Sequence, residues 1–172
     1  MDASQEKSYQ RLVANLEELT KLYRSLLETV RKEKDLLIAA DITKLNENNK
    51  EKEALLYKVR SLDGARERYA KEFANHIGAD ANNPRLLDLA KALHGTEYEQ
   101  RLRNIHSMLE MLVTRVSGLN KENEEYAQSA LNTLNGAMGN IKETLAGKKT
   151  YARQGKMEYG PDKAGNFVRK EA

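Results

Sequence analysis

TEYEQRLRNIHSMLEMLVTRVSGLNKENEEYAQSALNTLNGAMGNIKETLA, residues 96–146, runs without a proline. Leu102, Ile105, Leu109, Leu112, Val116, Leu119, Asn123, Tyr126 and Ala130 follow one another in steps of 3 and 4. That alternation places them on one stripe of an α-helix, the seam of a coiled coil. After Ala130 the steps become 4, 4, 3 and 4 through Leu134, Met138, Ile141 and Leu145, an added 4 that alters the supercoil locally. A continuous helix of this length measures about 75 Å. Gly136 and Gly139 each cost about 1 kcal/mol relative to Ala inside it, so its C-terminal part is predicted to be the weakest.

Upstream, Thr96 with Glu99 three residues later reads as a capping box. A short helix is predicted from Pro84 to His94, ending at Gly95. Before it, Gly78-Ala79-Asp80-Ala81-Asn82-Asn83-Pro84 is the clearest break in the chain. Gly78 suits a helix C-terminus, Asn83 an N-cap and Pro84 a first turn. A second seam precedes the break at Ile42, Leu45, Leu55, Val59, Leu62, Tyr69 and Phe73. The polar run Asn46–Glu53 divides it. Asn49 falls in register there, and a solvated face is expected. The first seam is Leu12, Leu16, Leu19, Tyr23, Leu26, Val30 and Leu37, with Glu33 filling one turn. Asp41 can cap a new helix. A tight corner at Ala39-Ala40-Asp41 is therefore preferred over one continuous rod.

These signals give an all-α fold: a long antiparallel helical hairpin or coiled-coil bundle of three to four helices over residues 1–147. Residues 148–172 form a flexible, basic tail. Gly155, Gly160, Pro161 and Gly165 stand there among Tyr151, Met157, Tyr159, Phe167 and Val168, too much glycine for a helix. A loose hairpin pairing Met157/Tyr159 with Phe167/Arg169 is one reading; disorder in the free protein is preferred.

Composition agrees. Charged residues are 32% of 172, aromatics 6%, with two Pro and no Trp. This is the mixture of thin apolar seams flanked by solvated helix faces. Seven cations and three anions give residues 148–172 a charge of +4 out of a total of +3, leaving −1 for residues 1–147. A nearly neutral body argues against nucleic acid as its partner. The chain has no cysteine, so it holds no disulfide or thiolate site, and a cytoplasmic location is compatible. Its first residues carry charge throughout, so no secretory signal is expected. No run approaches the roughly 18 apolar residues of a membrane span, so no membrane insertion is expected.

No catalytic constellation emerges. His76 and His94 fall beside helix ends, where imidazole can bond free carbonyls, and His106 lies next to the seam. None has metal-pair spacing. Gly147-Lys148-Lys149-Thr150 lacks the upstream glycine and strand of a phosphate loop. Glu122, Glu124 and Glu125 read as a solvated face. Neither an enzyme, a cofactor nor a small-molecule substrate is expected, and protein binding is the remaining role.

The residues also carry a family resemblance. Ala40-Asp41-x-x-x-Leu45, then Lys52-x-x-Leu55-Leu56-x-x-Val59-x-x-Leu62-x-x-x-Arg66, resembles the first half of the FlgN-type flagellar export chaperones. Asn120-x-x-Asn123 and Ala130-Leu131-x-x-Leu134 resemble the second half. Tyr151-Ala152-Arg153-Gln154-Gly155-Lys156 resembles the closing segment. The likeness runs from Leu12 to about Tyr159 and leaves the tail beyond Gly160 outside. It implies an ATP-free chaperone that holds hook-associated (hook–filament junction) proteins in the cytoplasm and brings them to the flagellar type III export gate.

The shifted register and the two glycines nominate Leu131, Leu134, Met138, Ile141 and Leu145 as the partner-binding face, with intramolecular core as the alternative. Tyr151, Gly155 and Tyr159 are nominated beside them as tail contacts. Two other readings stay open: a coiled-coil structural or adaptor protein unrelated to flagella, and a nucleic-acid-associated protein acting through its basic tail. Whether the seams close within one chain or in a homo-oligomer is also open.

Overall fold

The computed structural model describes residues 1–146 and the backbone of residues 150–151 and 157–158. Four helices appear in order: α1 (Ala3–Ile38), α2 (Ile42–Ile77), α3 (Leu86–Ala92) and α4 (Glu97–Leu145). Two short strands follow, β1 (Thr150–Tyr151) and β2 (Met157–Glu158). They pair antiparallel, Thr150 opposite Glu158 and Tyr151 opposite Met157. This differs from the pairing of Met157/Tyr159 with Phe167/Arg169, of which all but Met157 lies outside the described residues. The chain divides into two compact units, Met1–Glu124 and Glu125–Ala172.

The termini of α1 follow local chemistry. Asp2 accepts hydrogen bonds from the amides of Ser4 (2.9 Å) and Gln5 (2.8 Å), and Gln5 Oε1 accepts from the Asp2 amide at 3.0 Å, a closed capping box. At the other end the Asp41 amide donates to Leu36 O at 3.1 Å and the Ala40 amide to Leu37 O at 3.2 Å. These are the paired bonds of a Schellman turn, with Ala40 in the left-handed position at φ 53°. Asp41 then caps α2 by accepting from the Lys44 amide at 3.1 Å. The corner expected at Ala39-Ala40-Asp41 is present. Gly78 closes α2 in the same way, at φ 70°.

α3 is shorter than predicted. Arg85 is extended (φ −80°, ψ 138°), so helix begins at Leu86 rather than Pro84, and Asn83 caps nothing. The Asp80 carboxylate instead accepts from the Asn82 amide at 2.9 Å, an Asx turn that takes up the polar loop. α3 ends at Ala92, and the Leu93 carbonyl accepts from the Thr96 hydroxyl at 2.7 Å. The capping box at α4 is shifted by one residue. The Glu99 amide donates to Thr96 Oγ1 (3.3 Å), but Glu99 Oε2 accepts from Gly95 rather than Thr96 (3.0 Å).

Within residues 1–124, α2 runs antiparallel to α1: Arg11 meets Glu72 and Lys52 meets Glu33. The first part of α4 runs parallel to α1. Tyr9 lies against Tyr98, Glu17 against Arg101 and Lys34 against Glu122. Within this unit the seams of α1, α2 and the first part of α4 face one another. The core joins Tyr9, Leu12, Val13 and Leu16 of α1 to Ala70, Phe73 and Ala74 of α2, Leu89 and Ala90 of α3, and Leu102 of α4. Tyr9 stands edge-on to Phe73 (centroids 5.6 Å) and Tyr98 (4.9 Å). Its hydroxyl donates to Tyr98 O at 3.3 Å. Burial pushes the phenol up to about 12, so it stays a donor at working pH.

Farther along, the bundle interior becomes polar. Asn48 is 1% exposed and donates to Thr29 O at 3.1 Å. Asn123, 3% exposed, donates to Val30 O at 2.9 Å and to Glu33 Oε2 at 3.0 Å. Lys52 Nζ reaches the same carboxylate at 2.8 Å. The expectation of a solvated face over Asn46–Glu53 is corrected here. Asn48 is fully buried and Asn49 only partly, because α2 turns Asn48 and Lys52, one helical turn apart, toward α1. Ile42, assigned to the second seam, is exposed at the corner.

Candidate partner-binding surface

Residues 125–145 of α4 are built differently from the bundle helices. By helical spacing, Tyr126, Ala130, Leu134, Met138, Ile141 and Leu145 share one face, with Leu131 at its margin. Every residue from Glu124 to Ala146 is exposed. The five nominated side chains are 50% (Leu131), 57% (Leu134), 47% (Met138), 59% (Ile141) and 58% (Leu145) exposed. Single exposed leucines need no explanation, but a contiguous stripe of large apolar side chains does. Such a stripe can bury an amphipathic helix of another chain, with anchors spaced at i, i+3, i+4 and i+7.

Gly136 and Gly139 lie on the opposite face of this helix by the same spacing. A Cβ at either would meet nothing within 4 Å. Crowding therefore explains neither glycine, and each leaves the helix weaker than Ala would. Local side-chain bonds run along the helix. Gln128 Nε2 donates to Asn132 Oδ1 at 3.0 Å and Thr133 Oγ1 to Ser129 O at 3.0 Å.

Of the nominated tail residues, Tyr151 has its backbone in β1. Its side chain, together with Gly155 and Tyr159, lies outside the described residues, as does the phosphate-loop candidate Gly147–Lys149.

Other concavities lie within residues 1–124. A groove of about 620 Å³ is floored by Leu16, Leu86, Leu109 and Val113 and rimmed by Arg66, Arg85 and Lys91. His106 Nδ1 stands 3.8 Å from Glu110 Oε2, outside hydrogen-bonding distance. His94 faces Glu99 at 3.3 Å from an open surface. His76 ties the end of α2 to the start of α1, its Nδ1 2.9 Å from Ser8 Oγ and its Nε2 3.4 Å from Ser4 Oγ. The expectation that it would bond free carbonyls is replaced by this hydroxyl contact. Among the described residues no group of three or more His, Asp or Glu is arranged to hold a metal ion. No described helix is long and apolar enough to cross a membrane.

The polar layer of Asn48, Glu33, Lys52 and Asn123 was only half visible in the sequence. Glu33 and Asn123 stood out as polar residues at seam positions. Lys52 and Asn48 gave no such signal, because their inward turn depends on where α2 crosses α1.

Comparison with curated proteins finds no match, and comparison with solved structures finds none. The family described as FlgN protein matches residues 1–159, covering all four helices and both strands. The chain belongs to the FlgN family, whose members serve as flagellar export chaperones.

Proposed function

We propose that this chain is a cytoplasmic export chaperone. It holds hook-associated proteins of the hook–filament junction by burying an amphipathic helix of theirs against Leu131, Leu134, Met138, Ile141 and Leu145. It then passes them to the flagellar type III export gate without nucleotide hydrolysis. The exposed stripe carries this reading: five large apolar side chains on one helix face that a partner would remove from water. An unassembled filament-type subunit presents the complementary need, an apolar helix face awaiting its neighbour. The basic segment 148–172, through Tyr151, Gly155 and Tyr159, is proposed as a second contact to cargo or gate. The helices of residues 1–124 then act as the scaffold.

The energetics suit a holding complex. Full burial of one large aliphatic side chain contributes about 1.5–3 kcal/mol. Half of each of five side chains therefore offers about 4–7 kcal/mol before the costs of association. That supports reversible capture once flanking contacts are added.

The test is co-expression of the full chain with each junction protein, followed by mass measurement of the purified species. A soluble complex of fixed stoichiometry is expected. Leu134→Asp with Ile141→Asp should abolish it while helicity measured by circular dichroism is retained. Capture by the double variant at wild-type affinity would remove the stripe from the mechanism. Collapse of its helicity would instead make these residues intramolecular core. Tyr151→Ala tests the tail: unchanged capture and export would reject its role.

A further inference from the structure

The chain is 32% charged, yet Tyr126–Ile141, YAQSALNTLNGAMGNI, holds no Asp, Glu, Lys or Arg. In residues 125–145 charge is confined to the ends, at Glu125, Lys142 and Glu143. Between Tyr126 and Ile141 the stripe's borders are equally neutral: Thr133 and Asn140 on one side, Gln128 and Asn135 on the other, all exposed, and Lys142 continues the second border only past the end of this stretch. Thr133 spends its hydroxyl on its own helix, donating to Ser129 O at 3.0 Å. The helix contacts inside residues 1–124 are the reverse. Arg11–Glu72 (3.2 Å), Arg101–Glu17 (2.7 Å), Lys34–Glu122 (2.9 Å) and Lys52–Glu33 (2.8 Å) bridge neighbouring helices.

Flanking charges set partner choice and orientation in coiled coils, and a neutral border gives up that discrimination. A partner with charged flanks would lose hydration there and find no counter-charge. A partner bordered by Asn, Gln, Ser or Thr would lose little. We infer that the stripe's occupant is an amphipathic helix whose own flanks are uncharged. The site selects it by apolar spacing and shape, so binding is insensitive to salt. This rests on the reading of the stripe as the cargo surface and specifies the chemistry of what it takes.

Three synthetic helical peptides test it against the full chain by calorimetry. They share one leucine stripe and differ in flanks: Asn/Gln/Ser, Glu, or Lys. The neutral peptide should bind at least about fivefold tighter than either charged one, as expected when a charge is covered without a partner. Its Kd should change less than about twofold between roughly 0.05 and 0.5 M salt, where exposed charge pairs are progressively screened. Thr133→Glu with Asn135→Glu should turn the preference toward the Lys-flanked peptide and make binding fall with salt. A charged peptide that binds wild type as well as the neutral one, or a Glu variant that leaves the ranking unchanged, overturns the inference. If all three peptides bind the Leu134→Asp/Ile141→Asp variant as they bind wild type, the stripe is not the site and both readings fall. If that variant loses all three while charge proves irrelevant on wild type, only the neutral-partner inference falls.

Discussion

Replacing Lys52 with Met would leave the Glu33 carboxylate inside the bundle without its cation. Glu33 and Lys52 side chains are 12% and 18% exposed and meet at 2.8 Å. Removing one member of a buried pair costs about 3–5 kcal/mol, because the remaining charge stays desolvated. Two features reduce that figure here: water reaches the edge of the pair, and Asn123 Nδ2 still donates to Glu33 Oε2 at 3.0 Å. The expected loss is about 2–3 kcal/mol, a fall in Tm of about 10 °C for a unit of this size. Glu33→Leu with Lys52→Leu removes both charges and should return stability to within about 1 kcal/mol of wild type or above it. Asn123 keeps its bond to Val30 O in that variant. The assay is urea denaturation followed by circular dichroism, with the two single and one double variant forming a cycle. A loss below about 0.5 kcal/mol for Lys52→Met would match an exposed ion pair. It would refute the claim that this layer is desolvated.

Ala40 adopts a left-handed conformation that costs an L-residue about 1–2 kcal/mol. Ala40→Gly should therefore raise stability by about 0.5–1 kcal/mol net of added unfolded-state entropy, read as a higher Tm. Gly136→Ala with Gly139→Ala meets no obstruction and should strengthen the helix by about 1 kcal/mol per site. Slower amide exchange over residues 125–145 would report it, and unchanged exchange would show that the glycines do not weaken the helix. Phe73→Ala, deep in the core, should cost about 3–5 kcal/mol, in contrast to Leu134→Ala on the exposed stripe, which should fall within about 1 kcal/mol in the same denaturation experiment. The Asp2 carboxyl is held below its ordinary 3.8 first by the bond from the Gln5 amide. Its contribution to the first turn of α1 is thus present above pH 3.8 and lost as pH falls through the lower folded value. Amide exchange at Ser4 and Gln5 should accelerate in that acid window, and Asp2→Asn should remove the transition.

The sequence by itself determined the helices, the corner and the interruptions, because these follow from local physics. A 3,4 repeat fixes which face is apolar, Asp41 and Thr96 supply acceptors for free amides, and Gly78 and Gly95 tolerate positive φ. It also marked residues 131–145 as apolar on one side, and the FlgN resemblance that the family match over residues 1–159 bears out. It misplaced what depends on neighbours far along the chain. α3 lost its predicted first turn because Arg85 is extended. Asn48, read as solvated, became a buried donor to Thr29 O, 19 residues away.

Only the tertiary structure decided that α1 runs parallel to the first part of α4 and antiparallel to α2, with Glu33, Lys52 and Asn123 meeting between them. The same heptad code is written in Leu112 and in Leu134, yet one is buried and the other 57% exposed. A repeat specifies a face that wants covering. Whether it is covered depends on which other helices the folded chain can bring against it.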